Sequence, residues 1–201
     1  MPDVAHNVHR YAEKQGGHIT RRQLYDCGVS RRTVARWVAN RQLIRVYSGV
    51  YAVGHRSRNP VERAHGALLA GGPRAALTGA AALVLWGVWK HWPESLEIVI
   101  PGDRRPSGLI AHQSSTLERR DITVLQGLRV TSAARTMLDA APRLTEKQRT
   151  RAVNDLRLRK LLTLPALIDV IQRNPRHHSV TLLRAHLELA QPEPIDLICN
   201  L

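Results

Sequence analysis

ITRRQLYDCGVSRRTVARWVANRQLIRVYSGVYAV, residues 19–53, reads as two short capped helices around a glycine turn, followed by two β-rich runs hinged on Ser48-Gly49. Thr20 and Gln23 have capping-box spacing, in which the threonine hydroxyl accepts from the Gln23 backbone N–H and the Gln23 side chain reaches back. A helix is therefore predicted from Arg21, with Ile19 and Leu24 at the two positions of a hydrophobic staple. Gly28 ends it, because glycine tolerates the left-handed turn that closes a helix. Ser30 is a good N-cap for a second helix, and Val29 and Val34 form a second staple pair.

On the second helix Val34, Trp37 and Val38 share one face at helical spacing, and Arg32, Arg36 and Asn40 share another. The first face packs and the second is free. Arg31 and Arg32 occupy the first turn, where the macrodipole disfavours cations by about 0.3–1 kcal/mol each. Contact with nucleic acid would account for that cost: a recognition helix presents its N-terminal residues to base edges, and arginine suits bidentate contact with guanine. A solvated arginine face on a surface helix is the alternative. The run Leu43-Ile44-Arg45-Val46-Tyr47, then Ser48-Gly49, then Val50-Tyr51-Ala52-Val53, is a hairpin signal, and a hairpin after a recognition helix is a wing. Arg31, Arg32, Arg36 and Asn40 are the candidate base readers; Arg21, Arg22, Arg45, Tyr47 and Ser48 are candidates for holding phosphates. Tyr47 and Tyr51 have a competing role as packing residues of a small core.

Upstream, Val4, Val8, Tyr11 and Ala12 recur at helical spacing and predict an opening helix that ends at Gly16-Gly17. Residues 1–58 thus read as a winged helix-turn-helix of three helices and a hairpin. Arginine and lysine exceed aspartate and glutamate there by eight, with Arg56 and Arg58 extending the charge past the hairpin, and the whole chain of 201 residues carries a formal +14. Each phosphate neutralised releases counterions, so binding to double-stranded DNA should fall by about 0.9 log units per log unit of salt for each contact. The longest apolar stretch, Ala75–Trp89, is interrupted by Thr78, Gly79 and Gly87; it is too short to span a membrane comfortably and reads as a buried helix. The amino terminus has no signal-peptide core, which predicts a cytoplasmic protein. Cys27 and Cys199 are the two cysteines, too few for a disulfide framework or a cysteine zinc site.

Asn59-Pro60 marks the expected domain boundary, since a residue before proline leaves the helical region. Residues 59–201 read as a small mixed α/β domain with a helical C-terminal tail, making the whole chain α+β. Helices are expected over Val61–Leu69, Leu77–Trp86 and Ser132–Ala140, and strands over Leu96–Ile100, Leu109–His112 and Leu125–Val130. Thr145 with Gln148 is a further capping box, opening a basic helix that reaches Leu161 or Leu162. Arg143, Lys147, Arg149, Arg151, Arg157, Arg159 and Lys160 cluster around it, with Ala152, Val153, Leu156 and Leu161 as its packing side. This is either a second nucleic-acid surface or a solvated face. Leu164–Ile171 and Val180–Leu189 complete the tail.

No catalytic set emerges. His6 and His9 could share a metal, but no third ligand stands near them in sequence. Neither a phosphate-binding G-x-x-x-x-G-K-[ST] loop nor G-x-S-x-G occurs, and no carboxylate is followed two positions on by lysine, the pair many metal-dependent nucleases use. Asp103, Glu118, Asp121 and Asp139 could meet in space, yet each reads adequately as a turn, cap or ion-pair residue. No enzyme, cofactor or metal is expected.

The runs Thr20-Arg21-Arg22-Gln23-Leu24, Gly28-Val29-Ser30-Arg31-Arg32, Leu43-Ile44-Arg45-Val46 and Gly49-Val50-Tyr51-Ala52-Val53-Gly54-His55 resemble the N-terminal domain of AbiEi-type antitoxins. These are transcriptional regulators of type IV toxin–antitoxin systems. The similarity continues through Leu77-Thr78-Gly79-Ala80-Ala81-Ala82-Leu83-Val84-Leu85-Trp86-Gly87, Glu97-Ile98-Val99-Ile100-Pro101 and Arg129-Val130-Thr131-Ser132-Ala133-Ala134-Arg135-Thr136-Met137-Leu138-Asp139, and reaches about Ala190. The resemblance implies an autoregulating repressor that binds repeats at its own promoter. It also implies a functional partner, a nucleotidyltransferase-like toxin, which the antitoxin need not touch. Longer relatives continue into an endonuclease-like domain that the ending Ile195–Leu201 does not match, so a truncation or frame change is expected and no nuclease function carries over. Two readings from other classes stay open: a truncated nuclease-associated protein with general DNA affinity and no regulatory role, and a protein-interaction module.

Overall fold

The computed structural model describes residues 4–102 and 106–188, and it divides into two compact units, residues 1–132 and 133–201. The first unit opens with α1 (Val4–Glu13), β1 (His18–Thr20), α2 (Arg21–Asp26), α3 (Arg31–Ala39), β2 (Leu43–Tyr47) and β3 (Val50–Val53). The three strands form an antiparallel sheet in the order β1-β3-β2, and α1, α2 and α3 complete a winged helix. The capping box at Thr20 is fully formed, with both reciprocal bonds to Gln23. Ser30 accepts from the Thr33 backbone N–H and starts α3. Both staple pairs, Ile19 with Leu24 and Val29 with Val34, are buried in one cluster with Val8, Leu43 and Tyr51, and Trp37 and Val38 pack against it. Full burial of an Ile or Leu side chain stabilises by about 1.5–3 kcal/mol, so this cluster holds the small domain together. Tyr11 does not join it and lies 36 % exposed.

Strand β1 has no signature in the sequence, where Ile19 reads only as a staple. Three residues are too few for an alternation pattern, and what makes them a strand is pairing with β3, from His18 opposite Ala52 to Thr20 opposite Val50.

The rest of the first unit is α4 (Pro60–Gly71) and a five-stranded sheet. Its strands are β4 (Ala76–Thr78), β5 (Glu97–Ile100), β6 (Ile110–Gln113), β7 (Ile122–Leu125) and β8 (Leu128–Thr131), in the order β6-β5-β4-β8-β7, with α5 (Gly79–Leu85) following β4. Asn59 caps α4 through its side chain and Pro60 is the first helical residue. The pair thus begins an element, as a proline at the first helical position should. The division between units falls after Ser132 rather than at Asn59-Pro60, because α4 packs on β1, β2 and β3 as well as on β4, β5 and β8.

Two further expectations change. Leu77 and Thr78 belong to the buried centre of the sheet, not to a helix, and α5 starts only at Gly79, whose φ of +62° breaks the chain direction. A continuous apolar run does not distinguish a buried strand from a buried helix by periodicity. The single strand expected over Leu125–Val130 is a hairpin, β7 and β8, turned at Gln126-Gly127 with φ of +51° and +76°. Positive φ at both central residues is the two-residue turn that matches strand twist.

The second unit is helical: α6 (Ala133–Ala140), α7 (Glu146–Leu158), α8 (Leu164–Arg173) and α9 (Ser179–Glu188). The Thr145–Gln148 capping box opens α7. The helix stops at Leu158, short of Leu161, because Arg159 caps it and Lys160 turns to φ +58°. Leu161 is consequently 42 % exposed instead of packing with Ala152, Val153 and Leu156. Arg135 and Asp139, both buried, pair at 2.9 Å along α6. Asp103, Leu189 and Cys199 lie outside the described residues.

Candidate nucleic-acid interface

Helix α3 is positioned from beneath. Val34 is buried, Trp37 and Val38 lean on the core, and this places Arg31, Arg32 and Arg36 in solvent. Among the described residues none of these three arginines makes an ion pair or a side-chain hydrogen bond, and Arg31–Ala39 contains no acidic residue. Such a face has an uncompensated positive potential, the condition for attracting a polyanion. Asn40 is exposed but sits at the far end, where its backbone N–H caps α3 on the Arg36 and Val38 carbonyls. It therefore shares a face with Arg32 and Arg36 without sharing their place near the N-terminus.

The wing is β2, the Ser48-Gly49 turn and β3, with a register irregularity between Arg45 and Tyr47. Arg45 and Ser48 are exposed. Tyr47 turns the other way and packs against the core of the five-stranded sheet, where burial pushes its hydroxyl pKa up against the lowering influence of Arg63 and Arg56. Tyr51 is 1 % exposed, and its hydroxyl accepts from the Arg21 guanidinium at 3.2 and 3.3 Å. That hydrogen bond holds Arg21 further toward its charged form and ties the start of α2 to the wing's second strand.

Arg22 and Ser48 line a cleft of about 590 Å³ together with Gly49, Gly72 and Arg129. Arg129 donates to the Gly72 carbonyl at 2.9 Å and its pKa is lowered by desolvation. Arg129 is not among the candidates the sequence suggests. The signal that could have found it is alternation, since it stands between buried Leu128 and Val130 and must face the other side of β8.

The second basic cluster is arranged differently. Arg149 turns inward to the carbonyls of Ala141 and Leu144, and Arg151 approaches Asp155 at 3.8 Å. The carboxylates considered for chemistry are engaged locally: Asp121 accepts from the Glu118 backbone N–H, Glu118 pairs with Arg120, and Asp139 pairs with Arg135. A pair that no sequence pattern singles out is Glu97 in β5, 6 % exposed, with His112 of β6 at 2.8 Å. Among the described residues no group of three or more His, Cys, Asp or Glu is placed to hold a metal, His6 and His9 included.

Residues 8–54 match the AbiEi antitoxin transcriptional regulator family. The matched segment runs from within α1 to just past β3, so it contains α3, the wing and the candidate contacts from Arg21 to Ser48, but not the second basic cluster around α7. The fold is similar to the crystal structure of the RV2827C protein from Mycobacterium tuberculosis, with a TM-score of 0.57 at 17 % identity, covering 93 % of this chain and 76 % of that one. At that identity the likeness is one of fold. A search of curated proteins found no match. Among the described residues no helix is long and apolar enough to cross a membrane.

Proposed function

We propose that the chain is a sequence-specific DNA-binding transcriptional repressor, the autoregulating antitoxin of a type IV toxin–antitoxin system directed against a nucleotidyltransferase-like toxin. The observation that carries the reading is the arginine face of α3: three guanidinium groups without counter-charge among the described residues, beside a wing, inside the AbiEi-type segment. Arg31, Arg32 and Arg36 read base edges in the major groove, with Asn40 reaching from the end of the same face. Arg21, Arg22, Arg45 and Ser48 hold phosphates. Tyr47 serves the interface from behind, as the packing residue that fixes the wing's angle. The reading assigns no catalytic step and places the protein in the cytoplasm, where its promoter lies.

DNase footprinting on the DNA upstream of the chain's own coding sequence tests the repressor role. Protection of discrete repeats is the expected result, and equal affinity for that DNA and for random duplex would overturn it. Co-expression tests the antitoxin role: a neighbouring nucleotidyltransferase-like protein that arrests growth should be neutralised by this chain. Arrest that continues regardless would remove the antitoxin from the reading and leave the repressor.

A further inference from the structure

A second cleft, of about 230 Å³, opens at the base of the wing, lined by His18, Tyr47, Arg56, Ser57, Arg63 and Gly108. Each cation there is anchored to a neutral acceptor. Arg56 donates to the Arg45 carbonyl at 3.3 Å, and Arg63 of α4 donates to the Glu94 carbonyl. Neither guanidinium meets a carboxylate among the described residues, so each keeps its charge uncompensated and N–H donors to spare. Among the same residues the Tyr47 hydroxyl makes no hydrogen bond, and Tyr47, Arg56 and Arg63 line the cleft together.

His18 closes one side of the cleft and is 3 % exposed. The ring is held tightly: a Cβ placed on Gly66 of α4 would lie 2.9 Å from its Cδ2. Among the described residues no acidic side chain lines this space. Two guanidinium groups and a phenol are complementary to a tetrahedral oxyanion, which arginine binds through paired N–H donors. The volume is below the roughly 300–1,000 Å³ of sites for drug-sized ligands, which suits one phosphate group better than a whole cofactor.

We propose that this cleft is a phosphate-binding site, formed by Arg56, Arg63 and the Tyr47 hydroxyl at the base of the wing. The phosphate comes either from a DNA backbone passing the wing or from a small phosphate-bearing molecule. Because Arg56 is bonded to the Arg45 carbonyl of β2, occupancy of the site bears directly on the strand that carries the wing. The site stands whether or not α3 reads sequence, since its first probe is inorganic phosphate alone.

The test follows the His18 ring and arginine Nε signals of the full chain by NMR during titration with sodium phosphate at constant ionic strength, with sodium chloride as the control. Saturable shifts with phosphate and none with chloride are expected. Arg56→Gln should weaken phosphate by about tenfold and Tyr47→Phe by about threefold, with thermal melting in the absence of phosphate showing that each variant is folded. Shifts that follow ionic composition without saturating, or binding unchanged in both folded variants, would overturn the site. A duplex lacking terminal phosphates supplies the second arm. Competition between duplex and phosphate assigns the site to the DNA backbone, and simultaneous binding assigns it to a free phosphate ligand; each of these presupposes and supports the site.

Discussion

Helices α3 and α7 both carry several arginines on a short amphipathic segment. In α3 the residues at 31, 32 and 36 are exposed, without acidic neighbours on the helix. In α7 Glu146 occupies the first turn, Arg151 lies near Asp155, and Arg149 is turned inward to backbone carbonyls. An arginine turned inward or paired with a carboxylate is taken up by the protein's own structure, and one that faces solvent or a cleft with no counter-charge keeps its field for a partner. The difference therefore comes from local accounting of charge and hydrogen bonds, not from the number of basic residues. On the proposed reading, nucleic acid falls to α3 and a largely structural and solvated role to α7.

The strongest way to break this comparison is to remove what orients α3. Leu24 is fully buried beneath the winged segment, so Leu24→Ala should cost about 2–5 kcal/mol in denaturant unfolding and abolish DNA binding where the domain no longer folds. A loss under about 1 kcal/mol would mean that this cluster does not hold the domain. Next in size is discrimination. Arg32→Ala should lose about 1–3 kcal/mol on a selected target sequence, whereas Lys147→Ala on α7 should leave binding unchanged in a fluorescence titration. Equal losses from the two would erase the distinction between the helices.

Much of α3 and the wing was legible in the sequence because the information there is local. Thr20 with Gln23, Ser30 and Gly28 act within a few residues of where they stand, and the structure places all of them as caps or turns. The five-stranded sheet was less legible, since β4 is buried on both sides and is a strand by virtue of pairing with β5 and β8, distant in the chain. The same holds for the sites. Arg31, Arg32 and Arg36 follow from helical spacing, whereas the convergence of His18, Tyr47, Arg56 and Arg63 joins β1, β2, the loop after β3 and α4, and no spacing rule links those positions.

Two smaller effects sharpen the comparison. Arg45→Ala should weaken specific and random duplex alike and lower the slope of log affinity against log salt by about 0.9; a sequence-dependent loss would move Arg45 from the phosphates to the bases. The first unit should also be acid-sensitive through His18 and His65, whose pKa values burial lowers from the ordinary 6.5; His65 lowers the His18 value further, while Glu62 and the Gln15 and Gly16 backbone raise it. Well above pH 6.5 both histidines are neutral folded and unfolded. Below it the unfolded chain takes up protons first, so stability falls as pH drops from 6.5 toward the lower folded values. Chemical denaturation at stepped pH checks this, and His18→Gln should flatten the dependence. A curve of unchanged slope in that variant would remove His18 from the account.

The central claim is that the arginine face of α3 reads base sequence. In vitro selection from a random duplex library, run in parallel with the wild-type chain and an Arg31→Ala, Arg32→Ala, Arg36→Ala variant, measures it with no operator chosen in advance. The account predicts that wild type enriches one discrete motif and that the folded variant retains weak, salt-sensitive binding with no motif. The same motif enriched by both proteins, or no motif from the wild type, would contradict it.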